Sequence, residues 1–514
     1  MMSKLFALLT RPIGAPAPRA GRGAASPGAK LGARGRRLRA RRRRRGVALI
    51  LVLSSLTILT VMLSEIQDEN AAELSSSLTA RDAVIAEYAA RSAVNLSRLL
   101  IAAEPTIRKT LAPLFLMMKS TPPQIPVWEF TDRVMGAFND QAGAEAFQSL
   151  GAFDLTKGKN LGLKGAGFEI KVVDEDSKIN LNEPARGGAF GQARLASELI
   201  GLMGGPQNNP LFEGRDKDGQ FSDRQAICSA VIDWADPDSE TYVCDPNNPT
   251  AQSAAAEDSF YELLKRPYSR KNAAFDSLDE LHKLRGFNDD FWATFVEPDP
   301  DKPEKRTVTV WGQGTINVNT ANPQTLLAFI CSTAPAAQPC ADPAEAAKFL
   351  MMVTMLRGAM AGVPLFSSPQ MFINALSNKG PFGQIFQAIG MQPVPFLSID
   401  QASKMISVES KLFSIYATGV VKAGKRETRV RVHAVVDFRN APPPGQATSL
   451  AQMAQANNLL AGANAQPGSV SGAPQGGVVG ANGTTTPNPN DPNAAMAAML
   501  KPTPGGTIIH YKVE

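Results

Sequence analysis

Four carboxylates are the side chains best placed to do chemistry. Asp236 and Asp238 stand at i and i+2 in the Pro-bearing turn of VIDWADPDSE, and Glu257 and Asp258 form a second adjacent pair in AEDSFYE. Paired oxygen donors on turns suit a hard divalent cation such as Ca²⁺, which collects about six to eight oxygens from flexible loops. Composition by itself favours a plainer account, a solvated acidic loop. Asp233, beside Trp234, could join such a site or cap a helix end.

The four cysteines fall into two close pairs, Cys228 with Cys244 and Cys331 with Cys340. An even number at short spacing fits local disulfides in an oxidising compartment, with reduced or metal-bound thiols as the alternative. No pair has C-x-x-C spacing, and with only His282, His433 and His510 in the chain a zinc site has few donors. None of these histidines sits in a recognisable triad motif. His282 falls on a helix among basic neighbours, and His433 and His510 fall on strands that read as sheet edges. The sequence points to no enzyme.

The elements that carry these residues come in blocks. Residues 1–46 hold 14 Lys and Arg and no Asp or Glu, ending in five consecutive arginines, Arg41 to Arg45. Such a segment cannot bury a core and reads as disordered. Val47 to Ser64 then gives 18 residues without a charge, about 27 Å of helix at about 1.5 Å per residue and close to the hydrocarbon thickness of a bilayer. The arginines on its N-terminal flank place that side in the cytoplasm. No small-x-small cleavage site follows, which argues against an ordinary secretory signal. An amphipathic pattern continues through Leu74, Leu78, Val84, Tyr88, Val94 and Leu99 without Pro or Gly until Pro105, predicting one helix over about 47–102.

Beyond it, 168–173 (FEIKVV) alternates as a strand. From about 185 to 405 the pattern predicts short helices, at 191–203, 222–235, 254–265, 277–285, 288–296, 322–331, 343–357, 368–377 and 382–390. Strand character returns at 412–421, 427–438 and 506–514, and 441–506 is low-complexity Ala, Gly, Pro, Asn and Gln that reads as a flexible loop. The economical reading is α+β, one sheet interrupted by a helical insertion. Outside the leader the chain carries 39 basic and 47 acidic residues, a formal charge of −8, which argues against a general phosphate-backbone binder.

A basic leader ending in glycine and running straight into an apolar helix, RRRRRG followed by VALIL, resembles the prepilin signal of type IV pilins and type II secretion pseudopilins. The resemblance implies that a prepilin peptidase cuts after Gly46 and methylates the new N-terminus at Val47. Most of the family carries Glu at the fifth position after the cut; here it is Leu51. Minor pseudopilin K typically lacks that glutamate, and a subunit without the buried anion offers nothing to a subunit beyond it, which suits a filament tip. DEDSKINLN (174–182), VIDWADPDS (231–239), AEDSFYE, SLDELHKLRG (277–286) and INVNTA (316–321) also resemble, in order, segments of the general secretion pathway protein K family. The leader is longer and more arginine-rich than usual, and Val47 stands where Phe or Met is more usual.

The resemblance implies a pilin-like fold: a long N-terminal helix on an antiparallel sheet, with an inserted helical domain at 184–405 of two SAM-like, helix-hairpin-helix-like units near 184–300 and 316–395. It implies structural Ca²⁺ on Asp236, Asp238, Glu257 and Asp258. It also implies a single-pass inner-membrane protein with a periplasmic body. The implied partners are minor pseudopilins of the I and J types, the prepilin peptidase, the inner-membrane secretion platform, the secretin and secreted substrates. The implied role is to initiate pseudopilus assembly at the tip and support export. Two rivals are a minor type IV pilin in adhesion and a DNA-uptake protein using the helix-hairpin-helix-like segments. Asp276, Asp279, Glu280, Asp289 and Asp290 beside those segments work against phosphate, so no nucleic-acid partner is expected.

Overall fold

The computed structural model describes residues 33–117, 121–131, 165–215, 219–245, 252–256, 259–359, 363–424, 426–441 and 505–514. It divides into two units, Met1–Leu78 and Thr79–Glu514. Helix α1 (Ala33–Met117) passes through both. In the first unit its apolar run is fully exposed, and it is long and apolar enough to cross a membrane. The run's hydroxyls are satisfied locally: Ser54, Ser55, Thr57 and Thr60 each donate to the carbonyl three residues earlier, at 2.9 Å. A hydroxyl closed on its own helix needs no water, so these residues tolerate hydrocarbon.

Two expectations for this helix need correction. Residues 33–45 were expected to be disordered and are helical, because Ala, Arg and Leu are strong helix formers continuous with the apolar run. The helix also passes Pro105 and Pro113 rather than ending near 102. An interior proline costs about 3 kcal/mol of helix. Tertiary contacts offset it here: Glu104 accepts from the Ile125 amide at 2.9 Å and from Arg108 at 3.1 Å, and Arg108 also pairs with Glu409.

In the second unit the remaining elements are β1 (Ala166–Asp174), β2 (Ile179–Asn180), α2 (Glu183–Met203), α3 (Arg224–Ala235), β3 (Glu240–Tyr242), β4 (Gln252–Ala256), β5 (Val308–Thr309), β6 (Ile316–Asn317), α4 (Pro323–Thr333), α5 (Pro343–Ala359), α6 (Pro369–Leu376), α7 (Gly380–Ala388), α8 (Ile399–Met405), β7 (Ile406–Ser407), β8 (Leu412–Ala423), β9 (Arg426–Asp437) and β10 (Thr507–Val513), with short helical turns between them. β1, β8, β9 and β10 form an antiparallel sheet in that order. The stretch read as helix from 254 is in part strand, because β4 pairs with β3. β9 lies between β8 and β10, so His433 is on an interior strand and not on an edge.

One face of the sheet carries Phe168, Ile170, Phe413, Ile415, Ala417, Val432, Ala434 and Val436, packed on Ala90, Ala93, Val94, Ile101 and Ala102 of α1. The alternation places these side chains on one side, and burial of each large one is worth about 1.5–3 kcal/mol. Small residues let helix and sheet close up: a Cβ on Gly419 would lie 1.8 Å from the Ala86 carbonyl oxygen.

A second core fills the helical block between β1 and β8, with Phe295, Phe329, Phe349, Leu195 and Ile232 among its fully buried side chains. One local arrangement occurs twice in it. β2 pairs in parallel with β5, and β6 with β7. After each first strand an asparagine clamps a distant phenylalanine backbone. Asn182 accepts from Phe275 N at 2.7 Å and donates to Phe275 O at 3.0 Å; Asn319 accepts from Phe366 N at 3.0 Å and donates to Phe366 O at 2.9 Å. The INLN and INVN segments are these two clamps.

The helical block joins the sheet through a buried polar hinge. Asp174 accepts from Ser410 and Thr320, and Asp176 accepts from the amides of Gln313 (2.8 Å), Lys411 (2.7 Å) and Leu412 (3.1 Å). Burial, with Asp176 alongside, pushes the Asp174 carboxyl up to about 7.

Candidate functional site: the acidic turn after α3

Helix α3 is opened by Asp223, whose side chain accepts from Ala226 N at 2.8 Å, and closes into the turn at Asp236, where Pro237 stops it. Cys228 is bonded to Cys244, with Cα atoms 6.0 Å apart, which ties the helix to the segment beyond the turn. Cys331 and Cys340 are bonded as well, closing the end of α4 onto the short helical turn Gln338–Ala341. Both are the pairs suggested by spacing.

The turn is lined with oxygen. Asp233 Oδ1 accepts from Tyr242 N at 2.8 Å, and its backbone oxygen accepts from Arg270 at 2.8 Å. Asp236 is wholly buried, with Oδ2 accepting from Gln192 Nε2 at 2.8 Å. Asp238 is exposed, reaches the same Gln192 nitrogen at 3.4 Å, and accepts from Glu240 N at 2.9 Å. Asn272, held at φ 45°, donates to Asp238 O at 3.0 Å.

Two oxygens here are enclosed without a hydrogen-bond partner, Asp236 Oδ1 and Asn272 Oδ1. A buried acceptor left unmade costs about 1–3 kcal/mol. Charge adds to that cost. Burial first, then Asp238 among its neighbours, pushes the Asp236 carboxyl up to about 6, and burial with Asp236 nearby pushes Asp233 up to about 7. Arg270, 3.9 Å from Asp233 Oδ2, offsets part of this charge, but one guanidinium beside Asp233, Asp236 and Asp238 leaves the cluster net negative, and its orphaned oxygens fit a hard cation. Among the described residues, no group of three or more His, Cys, Asp and Glu side chains is arranged to hold a metal by itself. Glu257 and Asp258 lie outside the described residues. Gln192 and Asn272 had no signal in the sequence, since single amides in a helix and a loop look like solvated positions.

Gly46, Val47 and Leu51 all lie within α1, in the first unit, with Val47 and Leu51 exposed. His282 stacks on Trp292 at 4.2 Å, and His433 on Tyr416 at 4.3 Å.

Residues 218–296, which enclose the acidic turn, match the family model for Type II secretion system (T2SS), protein K. No curated protein matches the chain. A chain of the crystal structure of the GspK-GspI-GspJ complex from the enterotoxigenic Escherichia coli Type 2 Secretion System aligns with a TM-score of 0.31 at 13% identity, covering 53% of this chain and 75% of that one.

Proposed function

We propose that this chain, whose residues 218–296 match the family model for type II secretion system protein K, is the minor pseudopilin at the tip of the secretion pseudopilus. The observation that carries the reading is that match occurring in one chain with an exposed, membrane-length apolar helix and an antiparallel sheet. Val47 to Ser64 anchors the protein once in the inner membrane, with the acidic body in the periplasm. Prepilin peptidase cuts between Gly46 and Val47 and methylates Val47. The cut lies on the cytoplasmic flank, so the helix survives it as an anchor.

In this reading α1 packs beside minor pseudopilins of the I and J types on the inner-membrane platform, and the helical block between β1 and β8 caps the filament beneath the secretin and its substrates. Leu51 in place of the usual glutamate removes the intramembrane anion that would recruit a further subunit. Its part is to start assembly and support export, not to turn over a substrate.

Asp236 and Asp238, with the Asn272 amide oxygen and with Glu257 and Asp258 by sequence, would hold a structural Ca²⁺. When bound, the cation supplies the positive charge that the buried carboxylates lack. Gln192 orients both aspartates toward one another, and the Cys228–Cys244 bond holds the turn in place.

Gly46→Trp tests the core of this reading. The variant is expected to keep its leader and to abolish secretion, read by N-terminal sequencing and by enzyme activity in the culture medium. A processed chain or undiminished secretion would overturn it.

A further inference from the structure

A cavity of about 270 Å³ lies between the face of the sheet opposite α1 and the helical block. Its floor is the outer face of β8, β9 and β10, carrying Tyr416, Arg431, His433 and His510, and its wall includes Trp311 and Trp292. The aromatic rings form a connected run: Tyr416 stacks on His433 at 4.3 Å, His433 meets His510 at 5.3 Å, and His510 meets Trp311 at 5.4 Å.

The charges lining the cavity are mostly closed on one another. Lys178 pairs with Glu175 at 3.0 Å, Lys512 with Glu514 at 2.9 Å, and Arg306 with Glu297. The Lys512 and Arg306 pairs each present a donor beside an acceptor, the Lys178 pair lies buried behind the lining, and none of the three adds net charge. Of the other charges on the lining, Asp276 pairs with Lys271, and Asp279 and Arg431 offset one another, so a strongly ionic ligand gains little. A hydroxyl gains much, because it donates and accepts at once. Arg431 adds a guanidinium lying over the Tyr416 ring at 4.9 Å. His433 Nε2 is enclosed and has no hydrogen-bond partner, and burial holds the ring neutral by pushing it down to about 4. The ring thus adds an uncharged face to the floor of the cavity.

We propose that this cavity is a binding site for a neutral saccharide, with a pyranose ring lying against the Trp311 and His510 rings and its hydroxyls shared among the ion pairs and Arg431. The volume is near the lower end for small-molecule sites, about 300 Å³, and so favours one or two sugar rings over a long chain. The site is independent of the acidic turn and of the membrane helix, so its failure leaves the pseudopilin reading untouched.

The test is saturation-transfer NMR on the full chain in lauryldimethylamine-oxide micelles, a detergent without a sugar headgroup, with maltose and N,N′-diacetylchitobiose as probes. Transfer to the ring protons of at least one probe is expected. It should weaken about tenfold in Trp311→Ala, the scale of one lost aromatic contact. Arg431→Ala, an exposed position, serves as the second variant should Trp311→Ala fail to fold, and should also weaken transfer. No transfer from either probe at about 10 mM, well above a millimolar dissociation constant, overturns the proposal. So does transfer that is equal in the folded variants and the parent chain.

Discussion

Asp236→Asn separates a cation site from a solvated loop, because the two readings predict opposite consequences. The Asp236 carboxyl is wholly buried and titrates at about 6 instead of its ordinary 3.8. A raised carboxyl pKa means that the folded protein holds the proton more tightly than the unfolded chain. Its stabilising contribution is therefore full at low pH and is lost as pH rises toward 6. At pH 7.5 without a cation, the ionised group costs the fold on the order of 2 kcal/mol after allowing for solvent near the turn. Asn keeps an oxygen for Gln192 and removes the charge. In chelator at pH 7.5 the variant should thus be more stable than the parent by about 2 kcal/mol, a few degrees in Tm at roughly 2 °C per kcal/mol. At pH 5 the difference should shrink.

Adding Ca²⁺ should reverse the order. A cation present at about one hundred times its Kd stabilises the parent by about 2.7 kcal/mol and the variant much less. Thermal melts of the full chain in micelles, at the two pH values and with chelator or Ca²⁺, read all of this. A parent melt that does not respond to Ca²⁺, or a variant less stable than the parent in chelator at pH 7.5, refutes the reasoning.

Three further outcomes follow from the fold. Gly419→Val forces a side chain into the Ala86 carbonyl and should cost more than about 3 kcal/mol, seen as loss of the cooperative melt or as protease sensitivity of the body. Asn182→Ala leaves the Phe275 amide and the Phe275 and Val310 carbonyls unpaired in the core, and should lower stability by about 2–4 kcal/mol in a denaturant titration. The double change Cys228→Ser and Cys244→Ser opens a loop with a sequence separation of 16 and should cost about 3 kcal/mol, with reductant producing a larger loss in the parent chain because it opens Cys331–Cys340 as well.

Much of this was legible in the residues. The apolar run after Arg45, the alternation of 412–421 and 427–438, and the close cysteine pairs each carry a local signal strong enough to survive without tertiary context. What escaped was made by long-range contact. β2, β5, β6 and β7 are two residues each, too short for any periodicity, and exist because Ile179 and Ile316 are drawn into the helical core. The helix beyond Pro105 persists through Glu104 and Arg108, one turn apart, and through Glu409, which lies 301 residues beyond Arg108. At the acidic turn the carboxylates announced themselves, whereas the Gln192 and Asn272 amides that shape it did not. His433 looked like an edge residue until β10, arriving from beyond the low-complexity stretch, covered it.

The hinge at Asp174 and Asp176 has a kinetic side. Leu412 N donates to an Asp176 carboxylate oxygen 236 residues away, so the chain leaves the sheet and re-enters it at neighbouring points. If the intervening block were an unfolded coil, bringing β1 against β8 would cost about 5 kcal/mol of loop entropy. A folded block with its two ends already side by side removes nearly all of that cost. A block that folds first would therefore speed the pairing of β1 with β8, and a lesion in the block is expected to slow that pairing. The same adjacency makes the block a detachable cassette, which a short turn joining Asp174 to Leu412 could replace without changing the register of either strand.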